Sequence, residues 1–371
     1  MEEVSSFPYD VQTIEEITYK YFDVEDMQIY YGYPRFIVTY TDDFRDRFMN
    51  YVNNLKKVGY IAFTRELSPS KVELIINRYP LTQSKPSRKP LILFIVTLTV
   101  IVIDAYFKTQ SPLLYELIPA YTPILTGLLY TVGLLSIIGI HELGHLVMIR
   151  RYGVDASMPY FIPGIPGVPG FIPTFGAVIS QREPPNNRDS LFDIGLAGPL
   201  AGLIPTFLIL FYSIPHTPVL TQEEYQEFLG KLGRDPIPFP VPWLYIKLLY
   251  TFRDIPPDSI ILLDPISFVA VLGMLITGLN LIPAWQLDGG HLARAVFGEE
   301  RHKTITLIAI LLMVLIGFVA FAAIIIFFYM MSGGRSVRPL NDITPLSTSR
   351  KILYVFSVIL GITLLPIPLG I

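Results

Sequence analysis

Residues 134–149 read LLSIIGIHELGHLVMI, and both the fold class and the chemistry of the chain turn on that run. It is apolar except for a small polar insert centred on His141, Glu142 and His145. In a helix, residues four apart differ by about 40° in rotation and about 6 Å in rise, so both imidazoles face the same way. Two neutral imidazoles at that spacing can hold one Zn2+, with the intervening glutamate beside the metal as general base. Ionisable groups inside an apolar helix are costly, which makes a functional role the default reading. The bland alternative is a pair of core histidines and a buried acid partnered elsewhere.

The rest of the chain agrees with a bilayer setting. Of 371 residues, 51% are hydrophobic and 16% charged, and the mean hydropathy is +0.49. Soluble domains carry about a quarter charged residues, so the composition points to a polytopic α-helical membrane protein. A net charge of −3 gives no reason to expect a nucleic-acid partner. The absence of cysteine excludes disulfides, thiolate metal sites and cysteine nucleophiles. About six transmembrane helices are expected, at 91–107, 124–149, 190–213, 265–283, 304–331 and 352–366, each near the roughly 20 residues a bilayer requires. Alternation puts the cations at 85–89, 150–188 and 294–303 on one side, which assigns that side and the N-terminus to the cytoplasm of a cell membrane. Arg335, Arg338, Arg350 and Lys351 then fall on the opposite side.

Residues 1–90 read as a small soluble α+β domain with a basic linker, and 91–371 as the membrane domain. The acidic start has no apolar core, so neither a signal nor a transit peptide is expected. Ile14, Ile17, Thr18 and Tyr21 recur at helical spacing, while Phe36, Val38 and Tyr40 alternate as in a strand. A second helix over Asp42–Lys57 carries Phe44, Phe48, Val52 and Leu55, with lysines in its last turn and Gly59 beyond. A hairpin follows at 60–65 and 71–78, and Ser84–Pro90 links it to the bilayer.

Two further stretches bear on the chemistry. Residues 158–180 are apolar, yet Pro159, Pro163, Pro166, Pro169 and Pro173 forbid a helix. Such a segment is either a surface loop or extended backbone that is buried or lines a wet cavity; Phe175–Ser180 reads as a strand. Asn280–Gly290 closes the fourth segment. Pro283 interrupts the helix, and Gly289-Gly290 permits a close approach around Asp288, whose carboxylate a metal dication would hold as the anion. Alone, Asp-Gly-Gly is usually a turn. Gly195, Gly198 and Gly202 form a small-residue face suited to close helix packing. Asp104 is expected near the interface, His291 on a surface loop, and His216 and His302 at solvated helix ends.

His141–His145 together with Asn280–Gly290, and Gly195–Gly202 between them, resembles the site-2 protease family of intramembrane zinc metalloproteases, peptidase family M50, over about residues 124–298. The resemblance implies one zinc per chain held by His141, His145 and Asp288, and a zinc-activated water with Glu142 as general base. It implies hydrolysis of peptide bonds in or near transmembrane segments of a membrane-protein substrate within the lipid bilayer. It also implies a polar contact from Asn280 to the substrate or oxyanion. Residues 158–180 correspond to the family's stretch between the metal-bearing segments. Phe175, Gly176, Ala177 and Val178 are the candidate strand for holding an unwound substrate. Many relatives carry a PDZ domain between the third and fourth segments; residues 214–264 are too few for one. The rival readings are a metal-ion or proton-coupled transporter and an inactive substrate-binding pseudoprotease. No second copy of either motif is visible, as transporter repeats would require, and a mere binder has no use for Glu142.

Overall fold

The computed structural model describes residues 10–30, 32–79, 87–167, 172–233 and 238–366. The first part of the linker, Pro169 and Gly170 of the proline-rich stretch, and Phe171 lie outside them.

The N-terminal part runs α1 (Val11–Tyr21), β1 (Val24–Tyr30), β2 (Tyr33–Thr39), α2 (Phe44–Lys57), β3 (Tyr60–Ser68) and β4 (Lys71–Arg78). The strands form one antiparallel sheet in the order β1-β2-β4-β3. Alternate residues of β2 and β4, among them Phe36, Val38, Leu74 and Ile76, are buried against Phe44, Phe48 and Leu55 of α2. Each such side chain removed from water contributes roughly 1.5–3 kcal/mol. The strand at 24–30 shows no alternation; it is an edge strand with mostly exposed residues, so periodicity could not reveal it.

The apolar part is helical: α3 (Lys89–Lys108), α4 (Pro112–Leu117), α5 (Pro123–Arg151), the strands β5 (Tyr160–Pro163) and β6 (Thr174–Val178), and α6 (Arg188–Ser213). Between α6 and the next long helix lie β7 (Val219–Leu220), α7 (Gln222–Leu232), α8 (Trp243–Phe252) and β8 (Ile260–Ile261). Then come α9 (Pro265–Asn280), α10 (Asp288–Leu315), α11 (Val319–Met331) and α12 (Thr348–Thr363). Among the described residues, three helices are long and apolar enough to cross a membrane: α3, α5, and α6 with its 3-10 extension to His216. The helices at the expected 265–283 and 352–366, α9 and α12, are shorter, at 16 residues each, and α12 starts four residues before the expected bound.

The expected single segment at 304–331 is a helical hairpin instead. Gly317, at φ +92°, takes a left-handed conformation that ends α10, and α11 folds back beside it. Trp285 records the return: its backbone N–H donates to Thr306 Oγ1 (3.0 Å) and its indole N–H to Ser332 Oγ (3.1 Å), two residues on the two arms of the hairpin. The cations after it are therefore not on the far side, as alternation had them. Arg350 bonds Asp189 and Asp193 at the start of α6, and Arg338 bonds the Thr64 carbonyl of the N-terminal sheet.

The proline-rich stretch is a two-stranded antiparallel hairpin, Tyr160 opposite Val178 and Phe161 opposite Ala177. It lies along α3, with the Phe161 ring 5.2 Å from that of Phe94. Its far end reaches Asp104, whose Oδ1 accepts from the Gly167 N–H at 2.9 Å. Ten residues of α3 separate Phe94 from Asp104, about 15 Å of rise. The hairpin thus runs beside an apolar helix, with its backbone groups paired strand to strand. Asp104, far from solvated, is fully buried and also takes Lys108 (2.7 Å) and the Tyr130 hydroxyl (2.6 Å).

The two parts are joined by polar contacts at the start of α6. Glu183 accepts from Lys56 and from the Tyr79 hydroxyl, and Arg45 pairs with Asp189 at 3.0 Å. Burial and the Glu183 carboxylate push the Tyr79 phenol up to about 12, so it stays protonated and donates.

Candidate metal centre

His141 and His145 sit in α5 where α6 crosses it most closely. Gly144 of α5 faces Ala197 and Ala201, and a Cβ at Gly198 would collide with the His145 ring. A Cβ at Gly202 would stand 3.1 Å from that of His141. The small-residue face anticipated on α6 is thus the floor on which the two imidazoles rest. Gly198→Ala is expected to displace the His145 ring and weaken zinc binding by about 10-fold or more, as for other changes that disturb ligand orientation. Chelator competition against the wild-type protein measures it.

Asp288 comes from a different element. After Asn280 the chain reverses through Leu281–Leu287 and restarts as α10, with Asp288 in its first turn, where the helix dipole favours an anion. The reversal needs Trp285 at φ +44°, a conformation costing a non-glycine residue about 1–3 kcal/mol. Its two hydrogen bonds to the α10–α11 hairpin and the stacking of its ring on Phe328 hold it there. Gly289 and Gly290 sit directly on backbone carbonyls of the same turn, leaving no room for a side chain.

The result is a three-sided donor set. His141 Nε2 and His145 Nε2 are 3.2 Å apart; Asp288 Oδ2 is 3.2 Å from the first and Oδ1 3.3 Å from the second. Metal–ligand bonds of about 2.0–2.1 Å in a tetrahedron put neighbouring ligand atoms roughly 3.3 Å apart. His145 Nδ1–H donates to the Ile194 carbonyl at 2.7 Å, which leaves the Nε2 lone pair pointing at the gap. Asp288 Oδ2 is buried and accepts no hydrogen bond. Two lone pairs and a carboxylate converging on one point could hold a metal cation, and this set of nitrogen and oxygen donors suits zinc. Among the described residues no other group of three such side chains was found.

A cavity of about 440 Å³ opens beside the triad, bordered by Glu142, Ala177, Val178, Asn280, His291 and Val337. Phe175 and Gly176 are not part of its wall. Two expected positions are corrected. His291 is on α10, one turn beyond Asp288 and facing the cavity, rather than on a surface loop. His302 is buried within α10 rather than solvated at a helix end. The spacing of three from Asp288 was the available signal for His291. Val337 carried none, since it arrives from the distant connection between α11 and α12.

Fold and site define a helical, apolar-surfaced protein with a His-His-Asp group between its helices that could hold a metal ion. Sequence comparison gives the family: the profile of peptidase family M50 matches residues 129–324, and the chain belongs to that family. It is 30% identical over 212 residues to a probable zinc metalloprotease EGY2, chloroplastic, of Oryza sativa subsp. indica, covering 56% of this chain and 36% of that protein. The Arabidopsis thaliana protein of that name is 29% identical over 203 residues, covering 53% of this chain and 34% of its own length. A probable zinc metalloprotease EGY1, chloroplastic, of Arabidopsis thaliana is 28% identical over 273 residues, 71% and 46% of the two chains. The chain therefore spans about a third to a half of these relatives. No solved structure matches it. The relatives' names carry the word chloroplastic and lend no support to a cell-membrane location.

Proposed function

We propose that the protein is an intramembrane zinc metalloprotease that hydrolyses peptide bonds in or near transmembrane segments of other membrane proteins. The observation that carries this reading is the His141–His145–Asp288 donor set, with Glu142 on the wall of a cavity flanked by apolar helices. One zinc per chain, held by those three side chains, would supply a Lewis acid that polarises the scissile carbonyl and acidifies water. Glu142 takes the proton from the attacking water and delivers it to the leaving amine nitrogen. The Ile194 carbonyl keeps the His145 ring oriented, and Asn280 offers an amide to the substrate backbone or the developing oxyanion.

A helical peptide hides its carbonyls in a hydrogen-bonded ladder, so the substrate must be unwound locally. β6 is one strand of a pair, its second edge has no strand partner among the described residues, and that edge would bond an extended peptide at Ala177 and Val178. Backbone N–H groups alternate between the edges, so one of Ala177→Pro and Val178→Pro removes a donor from the free edge. That variant is expected to depress cleavage of a helical substrate about tenfold, the worth of one to two backbone hydrogen bonds. Substrates loosened by glycine near the cut should lose less. Equal loss for both substrate types, in a folded variant with zinc bound, would remove the strand from the mechanism.

We further propose that residues 1–90 form a soluble unit and 91–371 the membrane unit, with about six segments in contact with the bilayer. The clustering of Arg150, Arg188, Arg338 and Arg350 at one end of the helices supports a cytoplasmic assignment for that end and for the N-terminal unit. Reconstitution with a single-span substrate tests the function. Cleavage should stop on chelation and return with zinc; cleavage by metal-free protein would sink the proposal.

A further inference from the structure

The largest fully buried side chain among the described residues is a cation, Arg294, six residues beyond Asp288 on the same helix. Gly298, at φ +80°, breaks α10 just past it, so Asp288 and Arg294 share a separate short helix. The guanidinium is taken up by the connection between α11 and α12. Nε donates to Ser336 Oγ (3.1 Å), and the two terminal nitrogens donate to Asp342 Oδ1 (3.0 Å) and Oδ2 (2.6 Å). Arg188, the first residue of α6, adds a bond to Asp342 Oδ1 at 3.2 Å.

The same connection belongs equally to the N-terminal domain. Leu340 is fully buried in that domain's core beside the side chains of α2 and the sheet. The Thr64 N–H on β3 donates to the Leu340 carbonyl (2.9 Å), and Arg338 donates to the Thr64 carbonyl (2.6 Å). The Asp342 N–H donates to Thr64 Oγ1 at 3.0 Å. On its other face the connection meets the cavity: Val337 is part of the wall, and Gln286 donates to the Arg335 carbonyl at 3.4 Å.

We infer that Arg294 is a positioning residue for Asp288, and that the N-terminal domain, through Thr64 and Asp342, holds it in place. This rests on the proposed metal site. Besides Asp342 the guanidinium has a looser ion pair with Glu299, at 3.8 Å, so losing the Asp342 carboxylate would leave a buried cation poorly compensated, and Asp342 defines the seat of the short helix. Asp342 is in turn held through its backbone N–H, which donates to Thr64 Oγ1 of the N-terminal domain. The domain at the N-terminus thereby braces the connection that supplies Val337 to the cavity wall.

The experiment uses the full chain in detergent, purified with zinc. Because the chain has no cysteine, Val337→Cys supplies a single thiol whose labelling by a water-soluble maleimide reports opening of the wall. Zinc release into excess chelator reports the metal site. Thr64→Val, isosteric and remote from the metal, is expected to speed both about threefold, and Asp342→Asn about tenfold or more, the range seen when ligand-orienting partners are lost. Lys71→Ala, which breaks an exposed pair with Glu25 on the rim of the sheet, should change neither. Folded Thr64→Val protein with wild-type labelling and wild-type zinc release would overturn the inference. Should Asp342→Asn fail to fold, the isosteric Thr64→Val decides alone. A wild-type chain that binds no zinc would instead defeat the proposed function, and the labelling rates would still decide the coupling.

Discussion

Glu142→Gln is expected to lower kcat for a reconstituted membrane substrate by about 10²–10⁴-fold, the usual contribution of a positioned acid–base group, with zinc content unchanged. Glutamine preserves the size of the side chain and its helical preference, so the close seat of α5 on α6 is undisturbed. It cannot accept a proton from water or return one to the amine. Glu142 is outside the trio whose donor atoms converge, so its loss leaves the proposed metal ligands in place. Single-turnover cleavage together with elemental analysis measures both quantities. A glutamine variant cutting at the wild-type rate would refute the role given to Glu142. The same variant separates the rival readings, since neither a transporter nor a pseudoprotease would cleave the substrate in either form.

Asp288→Ala should lose the metal and the activity together. The imidazoles come from one helix and are oriented by its own geometry and by the Ile194 carbonyl. Asp288 is the donor that closes the site from a second helix. Removing it leaves two ligands, and zinc affinity should fall by more than the roughly 10–100-fold typical of outer-sphere partners. The start of α10 would also lose an anion–dipole interaction of about 0.3–1 kcal/mol, too little to unfold the chain. The expected signature is a folded protein without stoichiometric zinc. Wild-type zinc content and activity in Asp288→Ala would mean that another residue completes the site.

Much of this was legible in the linear chain because it depends on spacing. A four-residue separation puts two imidazoles on one face of any α-helix, whatever surrounds it. The polar insert at 141–145 announced itself because its surroundings are apolar. The prolines of 158–180 excluded a helix for a local reason, the missing N–H and the clash of the ring with the preceding turn. Periodicity identified α2, β2 and the β3–β4 hairpin, each with one buried face. It failed at β1, whose exposed edge leaves no pattern. At 304–331, hydropathy ran across the left-handed turn at Gly317 and assigned the cations beyond it to the opposite side.

What remained hidden depends on elements distant in sequence. Asp288 could be proposed from its motif, but its approach to two imidazoles more than 140 positions earlier depends on Trp285 being held against the α10–α11 hairpin. Asp104 looked like an interfacial acid because its neighbours on α3 are near a helix end; Tyr130 and Gly167, which bury it, come from α5 and the strand hairpin. Val337 and Asp342 belong to a connection with no motif at all. Local backbone preference and the period of a helix can be read one turn at a time. The convergence of three donors, the wall of a cavity and the hydrogen bonds between Thr64 and the α11–α12 connection are long-range contacts, and only packing brings their residues together.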